Sequence, residues 1–212
     1  MVDMNVYVYP NTSNDDSIAD DAKNGLETGL EDVVSNTNIG TYDVTVRYDH
    51  PNVADGSYDE CYNGFPTWRN NNYPLEDGCH LCISANFDGG RADGGNTSNP
   101  EEDAFVSAKD AVAGSHFGST GNFQNTCLHE VFHTFIDKDL SRVQSLMGPS
   151  NSEHSLGEVN DSGATPMIVG YRDEYGGEGT CSLDQGVSGY TQSPTYCTNQ
   201  SLEATAEDEN II

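Results

Sequence analysis

Between residues 127 and 140 the chain reads Cys-Leu-His-Glu-Val-Phe-His-Thr-Phe-Ile-Asp-Lys-Asp-Leu. His129 and His133 stand four apart, with Glu130 beside the first. On an α-helix, residues at that spacing share one side, so both imidazoles can reach a single metal ion. Neutral imidazole suits Zn²⁺, and a catalytic zinc takes three protein ligands while keeping one position open for water. Glu130 is turned off the apolar side, where a carboxylate can accept a proton from that water. The alternative is a surface helix with two unconnected histidines. The surrounding residues weigh against it. Leu128, Phe132, Phe135, Ile136, Leu140, Val143 and Met147 recur at steps of three and four, which is the pattern of an amphipathic helix.

The segment His129-Glu130-x-x-His133, preceded by a sheet-then-helix pattern, resembles the zincin metallopeptidases over roughly residues 4 to 147. The resemblance implies a first lobe with a substrate-aligning sheet and an active-site helix, and a second lobe that supplies the third ligand. It also implies peptide-bond cleavage in one step by a zinc-bound water, with Glu130 as general base and no acyl-enzyme. Metzincins extend the motif with a glycine that ends the helix and turns a last ligand back to the metal. Here Ile136 stands in the glycine position and Asp139 in the ligand position. A β-branched residue resists the left-handed conformation such a turn needs. The apolar spacing also continues to Met147, where Gly148-Pro149 is a good helix stop. The spacing therefore predicts one helix running through to Met147, which would carry Asp139 away from the metal.

Two observations keep Asp139 open. On a continuous helix its carboxylate would fall within the apolar face, a costly place. The run Ser145-Leu146-Met147-Gly148-Pro149 is also similar to the methionine turn of the short snapalysin-type enzymes. Downstream, Ser152-Glu153-His154-Ser155-Leu156-Gly157-Glu158 offers two acids and a histidine. His154 is favoured as the third ligand, with Thr165-Pro166-Met167 as a methionine turn beneath the metal. Glu153, twenty residues after His133, has a spacing similar to thermolysin-type gluzincins and is the other alternative. Tyr171 and Tyr175 could stabilise an oxyanion, as a tyrosine does in some metzincins, or simply pack. Asp173 is faintly similar to the aspartate motif of aspzincins. His50, His80 and His116 have no partner at ligand spacing and read as structural.

The elements that must position these groups are partly visible. Residues 5–9 form a short β-rich run ended by Pro10. Residues 15–35 place Ile18, Ala22, Leu26, Leu30, Val33 and Val34 at helical spacing. Residues 42–48 alternate as a strand, and residues 81–87 read as a third strand. Residues 51–77 are rich in Asn, Gly, Tyr and Pro and read as a long ordered loop tied down by Cys61. Residues 88–100 read as a mobile glycine- and acid-rich turn, with a spacing that matches no calcium loop. Residues 104–113 fit either an edge strand or a helical turn. Beyond Gly148-Pro149 periodicity fades, and the end of the chain, residues 203–210, reads as frayed. The expected fold is α+β and zincin-like: one catalytic domain, with a small mixed sheet and two main helices in an N-terminal lobe (1–148). A loop-rich C-terminal lobe (149–212) completes it.

Composition bounds the setting. The chain has 212 residues, a length that fits one domain, and 35 acidic residues against 8 basic ones, for a net charge of −27. The acids are spread along the whole chain, so like-charge repulsion would weaken the folded state in ordinary salt, whereas concentrated salt screens it. This fits a salt-adapted protein better than an acidic protein with a cationic partner. Nucleic acid and anionic membranes are poor partners for this field. No apolar stretch is long enough for a membrane span. The first residues lack the features of a signal peptide, so any export signal or propeptide lies outside this chain. Six cysteines, few lysines and several Asn-x-Ser/Thr sites favour disulfides in a secreted protein, with Cys181 and Cys197 as the expected pair. Cys79-x-x-Cys82 lacks the second pair of a zinc ribbon and reads as structural. Taken together, the sequence predicts a secreted, monomeric, zinc-dependent endopeptidase acting on protein or peptide substrates. The rival from another class is a catalytically inactive zincin-fold binding or surface-assembly protein with a structural zinc.

Overall fold

The β-rich run near the N-terminus becomes the organising strand of a five-stranded sheet. The structure is a computed structural model that describes residues 3–74, 76–93, 105, 107–115, 120–150, 152–160, 163–167 and 190–209. Strand β1 (Asp3–Pro10) lies between β2 (Thr41–Val46) and β3 (Gly78–Ser84), parallel to both. β3 in turn pairs in parallel with β5 (Ala108–Ser115), and β4 (Asp88–Ala92) closes the edge antiparallel to β5. The order is β2-β1-β3-β5-β4. Every residue of β3 is buried, as expected of a strand whose two faces are both covered.

Helix α1 (Asp16–Asn36) and helix α3 (Thr120–Phe135) pack on one face of this sheet and against each other. Helix α2 (Tyr58–Asn72) covers the other. The alternation of the strands sorts the side chains. Met4, Val6, Val8, Leu81 and Ile83 join the α1/α3 core, while Tyr9, Cys82 and Val112 join Cys61 and Phe65 beneath α2. The sheet is thus sandwiched between helices, a mixed α/β arrangement with more parallel pairing than the expected α+β sheet. The close approach of α1 to α3 depends on two glycines one turn apart. A Cβ on Gly25 would lie 2.5 Å from Gln124 Cβ, and one on Gly29 2.5 Å from Leu128 Cδ2.

Several expectations are corrected here. The segment 51–77 contains α2, not just a loop. Ser57 accepts from the Glu60 backbone N–H at 3.2 Å, and Asp59 and Glu60 favour the positive first turn. Pro66 inside this helix masked the signal. Residues 88–92 form the edge strand β4, and residues 108–115 form β5 inside the sheet. The long helix predicted to Met147 is two helices: α3 stops at Phe135 and α4 (Ser141–Met147) follows. Gly148, at φ 68°, ends α4 where the sequence placed the stop. The expected frayed end is helix α5 (Tyr196–Asp208), capped by Thr195 and buried along Leu202, Glu203, Ala204, Thr205 and Ala206. Between α4 and α5 lie a short 3₁₀ turn (Glu153–Leu156) and a two-residue hairpin, Val159–Asn160 with Gly163–Ala164. Five α-helices are thus present among the described residues.

Cys61, Cys79, Cys82 and Cys127 are free and buried, so the expected disulfide framework does not extend to them. Cys61 helps anchor α2 by packing, its sulfur 3.8 Å from that of Cys82. Cys181 lies outside the described residues, and with it the expected Cys181–Cys197 pair.

Candidate metal centre

Helix α3 presents Cys127, Leu128, Val131, Phe132 and Phe135 to the core, fully buried. His129, Glu130 and His133 flank that stripe, and the first two are nearly as enclosed, at 7% and 5% exposure. The helix ends at Phe135 for reasons centred on Asp137. Its backbone N–H donates to Thr205 Oγ1 of α5 at 3.0 Å, and its carboxylate accepts from the Asp139 N–H at 2.8 Å. That local turn competes with helical hydrogen bonding. Ile136 does not adopt a left-handed conformation, in keeping with its branched side chain. The chain leaves the helix without turning back, and Asp139 ends exposed, outside the three-histidine cluster described below.

The second part of the site arrives through long-range anchors. Ser155 Oγ donates to the Met147 carbonyl at 2.7 Å, and the Leu156 carbonyl accepts from Thr198 Oγ1 at 3.1 Å and from Thr195 Oγ1. These bonds tie the 3₁₀ turn to α4 and α5 and so fix His154 between them. Asn125 of α3 donates to the carbonyls of Ala164 (3.0 Å) and Thr191 (2.9 Å), which holds the hairpin against α3. The turn at Pro166-Met167 follows directly, with Met167 fully buried in the main core.

The result is a cluster of three imidazoles. His129, His133 and His154 each offer a ligand atom, all within 4.8 Å of one another. Ring centroids are 4.6 Å apart for His129–His133, 5.0 Å for His129–His154 and 5.2 Å for His133–His154. His129 Nδ1 donates to the Pro166 carbonyl at 2.7 Å, and His133 Nδ1 meets Glu153 Oε2 at 2.8 Å. With both Nδ1 atoms so engaged, the Nε2 atoms face each other at 3.0 Å. Two imidazole nitrogens at that distance share a positive centre, either a proton on His133, which Glu153 favours, or a metal ion in its place. A Zn²⁺ bound at about 2.1 Å from each nitrogen would set tetrahedral ligands about 3.4 Å apart, a spacing bracketed by the 3.0 Å of the His129–His133 pair and the 4.8 Å limit of the whole set.

Electrostatics favour the ligand form of two of the rings. Burial holds His129 well below the ordinary histidine range, with His133 and His154 adding to the effect. Burial and His133 push His154 down to about 4. For His133 burial also opposes the charged form, but the hydrogen bond and charge of Glu153 prevail and raise its pKa. Burial lifts the Glu130 carboxyl to about 7, with Glu153 adding to the rise and His133 opposing it. A carboxyl poised near neutrality suits a group that must take up and return a proton.

Glu130 also lies against the edge strand. A Cβ on Gly90 of β4 would come within 2.5 Å of Glu130 Cγ and 2.6 Å of its Oε1. Only a glycine lets the strand and the carboxylate come so close. The sequence reading missed this contact because β4 itself was not recognised. Glu153, weighed as a ligand, sits behind His133 instead. His50 pairs with Asp16 at 2.7 Å, and His80 accepts or donates within a buried pair with Tyr9 at 2.9 Å, both away from the cluster. His116, Tyr171, Asp173 and Tyr175 lie outside the described residues.

No protein-family model and no curated protein matches the chain. Among solved structures it is similar to metalloproteinase-II from Bacteroides fragilis, with 16% identity and a TM-score of 0.44 over 63% of this chain and 42% of that one. It is also similar to a chain in a chaperone–substrate complex, with 12% identity and a TM-score of 0.46 over 97% of this chain and 35% of that one. The matched region is thus under half the length of either neighbour. What the chain can do is read from the side chains described above: three histidines able to hold a metal ion, with a buried carboxylate beside them.

Proposed function

We propose that this chain is a zinc-dependent endopeptidase with a zincin-like catalytic domain, in which His129, His133 and His154 hold the metal and Glu130 is the general base. The observation that carries the reading is the convergence of three imidazoles beside a buried carboxylate that abuts an edge strand. When bound, Zn²⁺ supplies Lewis acidity: it polarises a carbonyl and lowers the pKa of a water. The chain's own residues do the rest. The two Nδ1 hydrogen bonds hold His129 and His133 in the tautomer whose Nε2 is a ligand. Glu130, shielded from bulk water, accepts a proton from the attacking water and hands it to the leaving amine. Among the described residues no strand pairs with the outer side of β4, where an extended peptide could lie in the manner of an added strand.

The carboxylate-rich composition supports a protein secreted into concentrated salt, with residues 1–148 and 149–212 as the two lobes of one domain acting as a monomer. The competing reading, a binding or assembly module with a structural metal, makes a different prediction. Hydrolysis of casein or an unstructured peptide in molar salt should be abolished by a chelator and reduced by orders of magnitude in Glu130→Gln, which should still bind zinc. A chain that unfolds on chelation but never shows hydrolysis would favour the module, and full activity in Glu130→Gln would overturn the role given to the base.

A further inference from the structure

Glu153 occupies the sequence spacing at which a carboxylate could be a metal ligand, yet its contact is with the back of His133. Its Oε2 accepts from His133 Nδ1 at 2.8 Å, and its side chain is only 11% exposed. The other oxygen, Oε1, is buried with no hydrogen-bond partner among the described residues. A carboxylate so desolvated is expensive to hold unless positive charge lies close by. Its hydrogen-bond partner His133 turns its other ring nitrogen toward His129, into the three-histidine cluster.

We propose, resting on the metal reading above, that Glu153 is a positioning residue: it fixes the orientation and tautomer of His133 and makes its Nε2 a stronger donor. The fold is arranged for this. Ser152 Oγ caps the 3₁₀ turn by accepting from the His154 N–H, and Ser155 and Leu156 are anchored to α4 and α5. Glu153 and His154 are adjacent on one rigid turn, so the residue that orients one imidazole and the residue that completes the cluster are placed by the same bonds. His129 is served differently, by the neutral carbonyl of Pro166. The two helix histidines thus have unlike partners, one anionic and one neutral.

Zinc affinity, measured by competition with a chromogenic chelator in molar salt, tests this. Glu153→Ala should weaken binding about 10- to 100-fold, the range seen when outer partners of metal-ligating histidines are removed. Glu153→Gln keeps a neutral acceptor and should recover most of the loss. The melting temperature of the metal-free protein should change little in Glu153→Gln, which separates positioning from general packing. Glu153→Met keeps the length without the acceptor and replaces the alanine variant if that fails to fold. Equal affinity in the native chain and in Glu153→Ala or Glu153→Met would overturn the positioning role while leaving the metal reading intact. A native chain that binds no zinc would overturn both.

Discussion

Helix α3 and the turn that carries His154 contribute to the same cluster by opposite means. His129, Glu130 and His133 are set by local geometry: four residues make one helical turn, and the apolar stripe decides which side faces the core. His154 is set by bonds between segments far apart in sequence, from Ser155 to Met147 and from Thr198 to Leu156. The lesson is that half of such a site is coded by spacing and half by anchoring. The spacing half should tolerate damage elsewhere in the fold, whereas the anchored half should not.

The largest effects should come from the chemistry itself. His154→Ala should cost most of the zinc affinity and all measurable hydrolysis while the helical content of the protein stays unchanged. Glu130→Gln should lower kcat by about 10²- to 10⁴-fold, the usual contribution of a positioned base, with zinc stoichiometry intact. If the two variants behave alike in zinc binding, the division between ligand and base is wrong.

Next comes the contact between β4 and the carboxylate. Gly90→Ala would bring a methyl group within 2.5 Å of both Glu130 Cγ and the Val112 carbonyl, so either the base or the strand must shift. Activity should fall by about tenfold or more, on the scale of a small misplacement of a catalytic group, with zinc binding preserved. An unaltered kcat would show that Glu130 need not stand where it does.

Smaller effects probe the anchors. Thr198→Val removes a hydroxyl from the Leu156 carbonyl and should reduce zinc affinity severalfold, since a typical hydrogen bond contributes about 1 kcal/mol. A matching change in the spacing half, such as Thr126→Val on α3, breaks only a bond to the Asn122 carbonyl in its own helix and should leave affinity unchanged. Equal losses in the two variants would erase the distinction drawn between the halves. Thr205→Val leaves the buried Asp137 N–H without its acceptor and should destabilise the protein by about 1–3 kcal/mol in denaturant titrations.

The same division explains what could be read from the sequence. Strand β2 was legible from its alternation, β1 from its β-rich run before Pro10 and α1 from its helical spacing, while the third strand was read at 81–87, three residues beyond the observed Gly78–Ser84. So was the His129–Glu130–His133 group. Helix α2 was hidden by Pro66 and by its many asparagines, although Ser57 and Glu60 carry a helix-start signal. Strand β4, with Gly89 and Gly90, has almost no strand propensity. It exists because β5 offers a ladder and Gly90, with no Cβ, leaves room for Glu130. Helix α5 is short of large apolar residues and is held by hydroxyl and carboxylate bonds, such as Glu203 to Asn38 at 2.7 Å.

The break after Phe135 is the most informative miss. Apolar periodicity crosses it, because Phe132 and Phe135 before the break and Ile136, Val143 and Met147 after it all remain in the core. Asp137 ends the helix through a side-chain bond and a contact with α5 that no local pattern announces. The inference that set Asp139 aside assumed a continuous helix, and that premise fails. Asp139 nevertheless lies outside the cluster, because the chain leaves α3 without the left-handed residue that would turn it back. The resistance of Ile136 to that conformation was the part of the reasoning with physical force.

A crystal structure of the zinc-loaded native chain, with anomalous scattering recorded at the zinc edge, tests the central claim most directly. The account predicts one strong peak coordinated by nitrogen atoms of His129, His133 and His154, with Glu130 near the open position and Glu153 hydrogen-bonded to His133 outside the coordination shell. A peak that includes the carboxylate of Asp139 or Glu153, or no zinc at the cluster, would contradict it.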